Sequence, residues 1–132
     1  MKFMLLQDYG GMTRDDVPAM SEWAPEAIEA HIQFQKDLNS ELKERGEFVD
    51  ARALTTPELA KFVVSDGAAE TVVTDGPFPE SKELLAGYRM IDVESIERAL
   101  EIAATASAAP AHDGAPIRQS IEVRGVMGTI EN

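Results

Sequence analysis

PEAIEAHIQFQKDLNSELKERG, residues Pro25–Gly46, is the stretch that decides the fold. Proline suits a first helical turn, where its missing N–H costs nothing, and Glu26 and Glu29 suit the positive dipole end. From Ala27 to Arg45 the spacing is helical, with Ile28, Phe34, Leu38 and Leu42 inside one broad apolar sector. Lys43 and Arg45 occupy the last turn, and Gly46 is the stop. One well-bounded amphipathic helix therefore lies about a third of the way along the chain, and its neighbours define what it packs on.

On its N-terminal side, residues 2–7 are nearly all apolar, as in a strand buried on both faces. Residues 9–24 between them, with Gly10-Gly11 and Pro18, read as a loop or lid. On its C-terminal side Phe48 to Leu54 alternates as a strand. Lys61–Ser65 and Thr71–Thr74 are β-branched runs split by Asp66-Gly67-Ala68-Ala69, which reads as a hairpin that Asp75-Gly76-Pro77 ends. Leu84 to Ile91 is a further strand, in which Gly87 allows close backbone approach. Asp92 reads as the N-cap of a second helix running to about Ala106, with Ile96, Ala99, Leu100 and Ala103 on its buried face. Residues 107–116 form a Pro/Gly loop, and Ile117 to Val126 a closing strand.

The order is β-α-β, an inserted hairpin, then β-α-β. That is the ferredoxin-like split βαβ pattern of an α+β protein, an antiparallel sheet with two helices on one face. No element remains to cover the other sheet face, so a homodimer through that face is expected.

The 132 residues fit a single domain, 1–132, with 44% apolar side chains and no cysteine. Disulfides, thiolate metal sites and cysteine nucleophiles are thereby excluded. The net charge of −12 is spread as −4 over residues 1–46, −5 over 47–92 and −3 over 93–132. With no basic patch, direct nucleic-acid binding is not expected. No apolar run is long enough to span a bilayer, and the four apolar residues after Lys2 are too few for a secretion signal, so a cytoplasmic protein is expected without membrane contact. Gly10-Gly11 lacks phosphate-loop spacing and no nucleophile elbow is present.

Val73-Thr74-Asp75-Gly76-Pro77-Phe78-Pro79-Glu80-Ser81-Lys82-Glu83-Leu84-Leu85-Ala86-Gly87-Tyr88 resembles the DGPF motif of the YCII-related family. Met1–Leu6 looks like that family's first strand, Pro25–Leu54 like its first helix and second strand, and Ile121-Glu122-Val123-Arg124 like its closing strand. Family members often carry proline next, where this chain has Gly125. The resemblance implies a dimeric α+β barrel. It also implies kinship with small-molecule enzymes and with shorter relatives for which a His–Asp pair has been suggested as catalytic. The DGPF branch is often encoded near sigma factors, which implies a regulatory alternative.

Read residue by residue, His31 is the most informative position. It falls in the sector of Ile28, Phe34, Leu38 and Leu42, and Gln35 and Asn39 continue from it at i+4 and i+8. Polar groups on a packing face cost free energy unless paired, so the stripe fits a cavity with His31 as general acid or base. The competing reading is a core-edge histidine bonded to a backbone carbonyl. Asp75 is the second catalytic candidate, although Asp-Gly-Pro is also a turn for purely local reasons. Glu80 and Lys82 in the motif, with Gln35 and Tyr88, are the substrate-binding candidates. Tyr88 and Arg89 point to opposite faces of one strand; Arg89 with Glu122, or Arg124 with Asp92, reads first as cross-strand pairing, and the second reading has one arginine in the cavity holding a carboxylate. Trp23 reads as a loop anchor. The two histidines, His31 and His112, make a poor metal pair, so neither metal nor cofactor is expected.

The expected activity is binding of a small organic molecule, in its sharper form cofactor-independent proton transfer of isomerase or lyase type. The alternative is a non-catalytic protein acting on a sigma factor through its acidic surface.

Overall fold

The computed structural model describes residues 1–8, 17–18, 20–68, 70–75 and 85–128. Six strands and two helices follow one another as β1 (Lys2–Asp8), α1 (Pro25–Glu44), β2 (Phe48–Ala53), β3 (Lys61–Ser65), β4 (Thr71–Asp75), β5 (Leu85–Asp92), α2 (Ile96–Ser107) and β6 (Ile121–Gly125). The four long-range strands form one antiparallel sheet in the order β2-β5-β1-β6, while β3 and β4 pair with each other as a separate two-stranded sheet. This is the ferredoxin-like arrangement, with the hairpin inserted between its second and third strands.

Register assigns the faces. Leu5 stands opposite Arg89 and Val123, and Phe3 opposite Ile91. These side chains meet Leu38 and Leu42 of α1 and Ala99, Ile102, Ala103 and Ala106 of α2 in one core. Met4, Leu6, Tyr88 and Met90 therefore point the other way, and all four are half-buried. β1 is central in the sheet, yet only its helix side is packed: Leu5 is fully buried.

Helix α1 ends as its sequence dictates. The Glu47 N–H bonds the Leu42 carbonyl at 2.8 Å and the Gly46 N–H bonds that of Lys43 at 3.1 Å, a Schellman closure that needs the positive φ of 70° at Gly46. Gly87 is needed for a different reason, because a Cβ there would lie 2.7 Å from the Arg52 carbonyl oxygen of β2.

Three features differ from the sequence reading. Ser95, not Asp92, caps α2: its hydroxyl accepts from the Arg98 N–H at 3.2 Å. Asp92 ends β5 and takes the N-terminal ammonium at 3.0 Å. The buried stripe of α2 is Ala99, Ile102, Ala103 and Ala106, while Leu100 is 52% exposed. Small alanines let the helix backbone come close to the sheet, and that places Leu100 outside. The last strand starts at Ile121, since the backbone at 117–119 is committed to the end of α2 through Ile117 N–H to Ala109 (2.7 Å) and Gln119 N–H to Ser107 (3.3 Å). Leu84, expected at the start of β5, lies outside the described residues.

No helix is long and apolar enough to cross a membrane among the described residues.

Candidate functional site

The helix side of the sheet is apolar at one end and polar at the other. Leu38 and Leu42 of α1 cover the Ile91 end, while His31, Gln35 and Asn39 of the same helix form a row that reaches Arg89 of β5. The i, i+4, i+8 spacing puts these three side chains in one row.

His31 is buried, and its Nδ1 lies 3.0 Å from the Pro110 carbonyl, just beyond α2. A carbonyl only accepts, so Nδ1 carries the proton and Nε2 holds the lone pair. Nε2 stands 3.5 Å from the Gln35 amide nitrogen, whose oxygen accepts from Arg89 Nη2 at 2.8 Å. Arg89 Nε donates to Asn39 Oδ1 at 2.7 Å. The row is thus a directed chain of donors and acceptors, in which the arginine fixes the Gln35 amide and the amide addresses the imidazole.

The Trp23 ring meets His31 edge-on, with centroids 5.7 Å apart, and its indole N–H is anchored on the Pro18 carbonyl at 2.9 Å. Trp23 also lies 6.3 Å from the His112 ring, so an indole touches both histidines, and no cluster of three metal-ligating side chains occurs among the described residues.

Arg89 is the unusual member. It is 3% exposed, and among the described residues its hydrogen bonds go to two neutral amides, with no carboxylate within ion-pair distance. Desolvation of the guanidinium pulls its pKa down to about 10, which leaves it charged at neutral pH. The expected pairing with Glu122 is absent: Glu122 sits on the opposite face and meets Arg124 at 3.5 Å.

The remaining candidates are elsewhere. Tyr88 is on the open face, donating to Asp50 Oδ2 at 2.9 Å, a bond that also holds the phenol pKa above its ordinary value. Asp75 is exposed at the end of β4 and bonds Lys61, its register partner, at 2.7 Å. Glu80 and Lys82 lie outside the described residues. The structure thus brings His31 and Gln35 together and adds Arg89, while Tyr88 belongs to the other side of the sheet.

Residues 1–119 of the chain match the YCII-related domain. The chain belongs to the YCII-related family. A similar protein from Rhizobium meliloti (strain 1021), named only as uncharacterised protein R00369, is 32% identical over 95 residues, spanning 72% of this chain and 76% of that one.

Two residues of the site were not signalled as site residues. The Pro110 carbonyl carries no side-chain signature. Gln7 could have been found: with Phe3 and Leu5 on the core face, a period of two puts Gln7 there as well, opposite Gly87. Its Nε2 is buried and has no hydrogen-bond acceptor among the described residues.

Proposed function

We propose that this YCII-related protein binds a small organic molecule at the polar end of the helix–sheet interface and moves a proton on it, with His31 as the acid–base group. The observation that carries this reading is the orientation of His31: Nδ1 is tied to Pro110, so Nε2 is the basic atom, and it faces the Gln35–Arg89 row rather than an apolar neighbour. A histidine needed only for packing would not be backed by two further polar side chains at the cost of their desolvation. His31 would take a proton from a carbon or oxygen acid through Nε2, and the Pro110 carbonyl would stabilise the resulting imidazolium at Nδ1. Asp75 belongs to the hairpin through Lys61 and is not needed for this step.

The test is solvent exchange. A panel of 1,3-diketones and β-oxo esters is incubated with the protein in deuterated buffer and followed by NMR. Exchange with at least one member is expected to run about 100-fold faster with wild type than with His31→Gln. Equal rates for the two proteins across the panel would reject the catalytic reading.

The same reading includes a homodimer closed through the open sheet face. Its support is the central strip of Met4, Leu6, Tyr88 and Met90, flanked by ion pairs Asp50–Arg52 (2.7 Å) on one edge strand and Glu122–Arg124 (3.5 Å) on the other. An apolar centre with a charged rim is self-complementary under a two-fold axis.

A further inference from the structure

We infer that the small molecule taken at this end of the interface is a carboxylate, held by Arg89 and Gln7. The inference rests on the binding reading above and adds the charge and class of the ligand.

Charge balance is the first ground. A guanidinium has five N–H donors, and Arg89 spends Nε–H on Asn39 and one Nη2–H on Gln35. Both acceptors are neutral, so the positive charge is held 3% exposed without a counter-ion among the described residues. An unpaired buried charge costs several kcal/mol (order of magnitude), and arginine is the side chain whose planar fork matches a carboxylate. Contrast Arg98, which is more exposed and yet grips Glu47 with two bonds of 2.9 Å. Among the described residues carboxylates stand beside the more exposed Arg45, Arg52, Arg98 and Arg124 and not beside the buried Arg89, in a sequence with twice as many acids as bases.

An independent observation comes from Gln7. Its amide nitrogen is buried and donates to nothing among the described residues, which leaves a donor dry at a cost in free energy. Leu5 is the register partner of Arg89 and Gln7 that of Gly87, so Gln7 and Arg89 are diagonal neighbours on the same face of adjacent strands, about 7–8 Å apart. Both residues hold unspent donors, one of them cationic, on side chains long enough to converge from neighbouring strands on the two oxygens of one carboxylate. The strand positions alongside are small: Gly87 has no side chain, and Ala51 and Ala53 offer a methyl each. Ala53, at the end of edge strand β2, is exposed. A carboxylate seated there brings the carbon next to it toward the row that ends at His31 Nε2.

The probes are sodium acetate, pyruvate and benzoate, each titrated at matched sodium chloride against its uncharged amide, with the His31 imidazole NMR signals as readout. At least one carboxylate is expected to shift those signals saturably while its amide binds at least tenfold more weakly. Arg89→Gln should remove the difference between acid and amide, and Gln7→Met should weaken the acid by about 3- to 10-fold. Saturable shifts of equal affinity for acids and amides would overturn the carboxylate assignment and leave small-molecule binding standing. No saturable shift with any of the six compounds would overturn both. The wild-type titrations decide the matter even if a variant fails to fold.

Discussion

Arg89 and Arg98 show how the same side chain is used in opposite ways. Arg98 closes a bidentate pair with Glu47, joining α2 to the turn after α1, and its guanidinium holds the Glu47 carboxyl below the usual carboxylate range. The folded-state pKa of Glu47 is depressed, so the pair's contribution is fully present above the unfolded value of 4.5 and is lost as pH falls through the lower folded value. Arg98→Met is therefore expected to cost about 2 kcal/mol in urea unfolding at neutral pH, with the gap to wild type closing as the pH drops well below 4.5. A gap that persisted unchanged in acid would assign the loss to packing instead. Arg89→Gln is expected to behave differently. It removes a desolvated charge while keeping polar atoms near Asn39 and Gln35, so the apo protein should stay within about 1 kcal/mol of wild type by the same measurement. By comparison, Leu42→Ala, which empties a fully buried core position, should cost about 2–5 kcal/mol.

Elements were legible wherever periodicity alone decides them. α1 could be read because its apolar sector, its proline and its glycine stop agree, and the β3–β4 hairpin because its strands are β-branched on either side of a turn. The α2 cap was misread because Asp92 and Ser95 are both competent caps, and only the pairing of Asp92 with the chain's N-terminus takes it out of the choice. The α2 face was misread because Ile96, Ala99, Leu100 and Ala103 satisfy helical spacing as well as the stripe the structure buries; closeness to the sheet, which is tertiary, favoured alanines. The site was half legible for a related reason. His31, Gln35 and Asn39 share one helix, so spacing shows them together, whereas Arg89 and Gln7 join them only through the register of β1 with β5. The same register makes Gly87 the most constrained position of β5. Gly87→Ala would drive a methyl to 2.7 Å from the Arg52 carbonyl, a backbone atom that cannot rotate aside. The expected cost is about 1–3 kcal/mol in urea unfolding, accompanied by loss of hydrogen-exchange protection along β2. A neutral result would mean that the edge strand shifts freely.

For the whole molecule, the question is what lies over the open sheet face. Both helices cross the same side, and the strip of Met4, Leu6, Tyr88 and Met90 stays half-buried on the other, in the middle of the sheet rather than at its rim. Pairing two copies across that strip would bury it, and it would also bring together two bodies of charge −12. The apolar strip favours association and the net charge opposes it, and the two respond differently to salt. Raising sodium chloride from about 0.02 to about 0.3 M shortens the screening length to well under the size of the domain, which weakens the repulsion and leaves the apolar contact intact. The dimer measured by light scattering should therefore tighten as salt is added, opposite to the behaviour of an assembly held by charge pairing. Leu6→Glu places a charge at the centre of the strip and should give a monomer with the circular dichroism of wild type, because Leu6 makes no part of the core beneath the helices. If that variant remained dimeric, or if salt dissolved the wild-type dimer, the contact would have to lie on another surface, and the half-buried strip would need a different explanation.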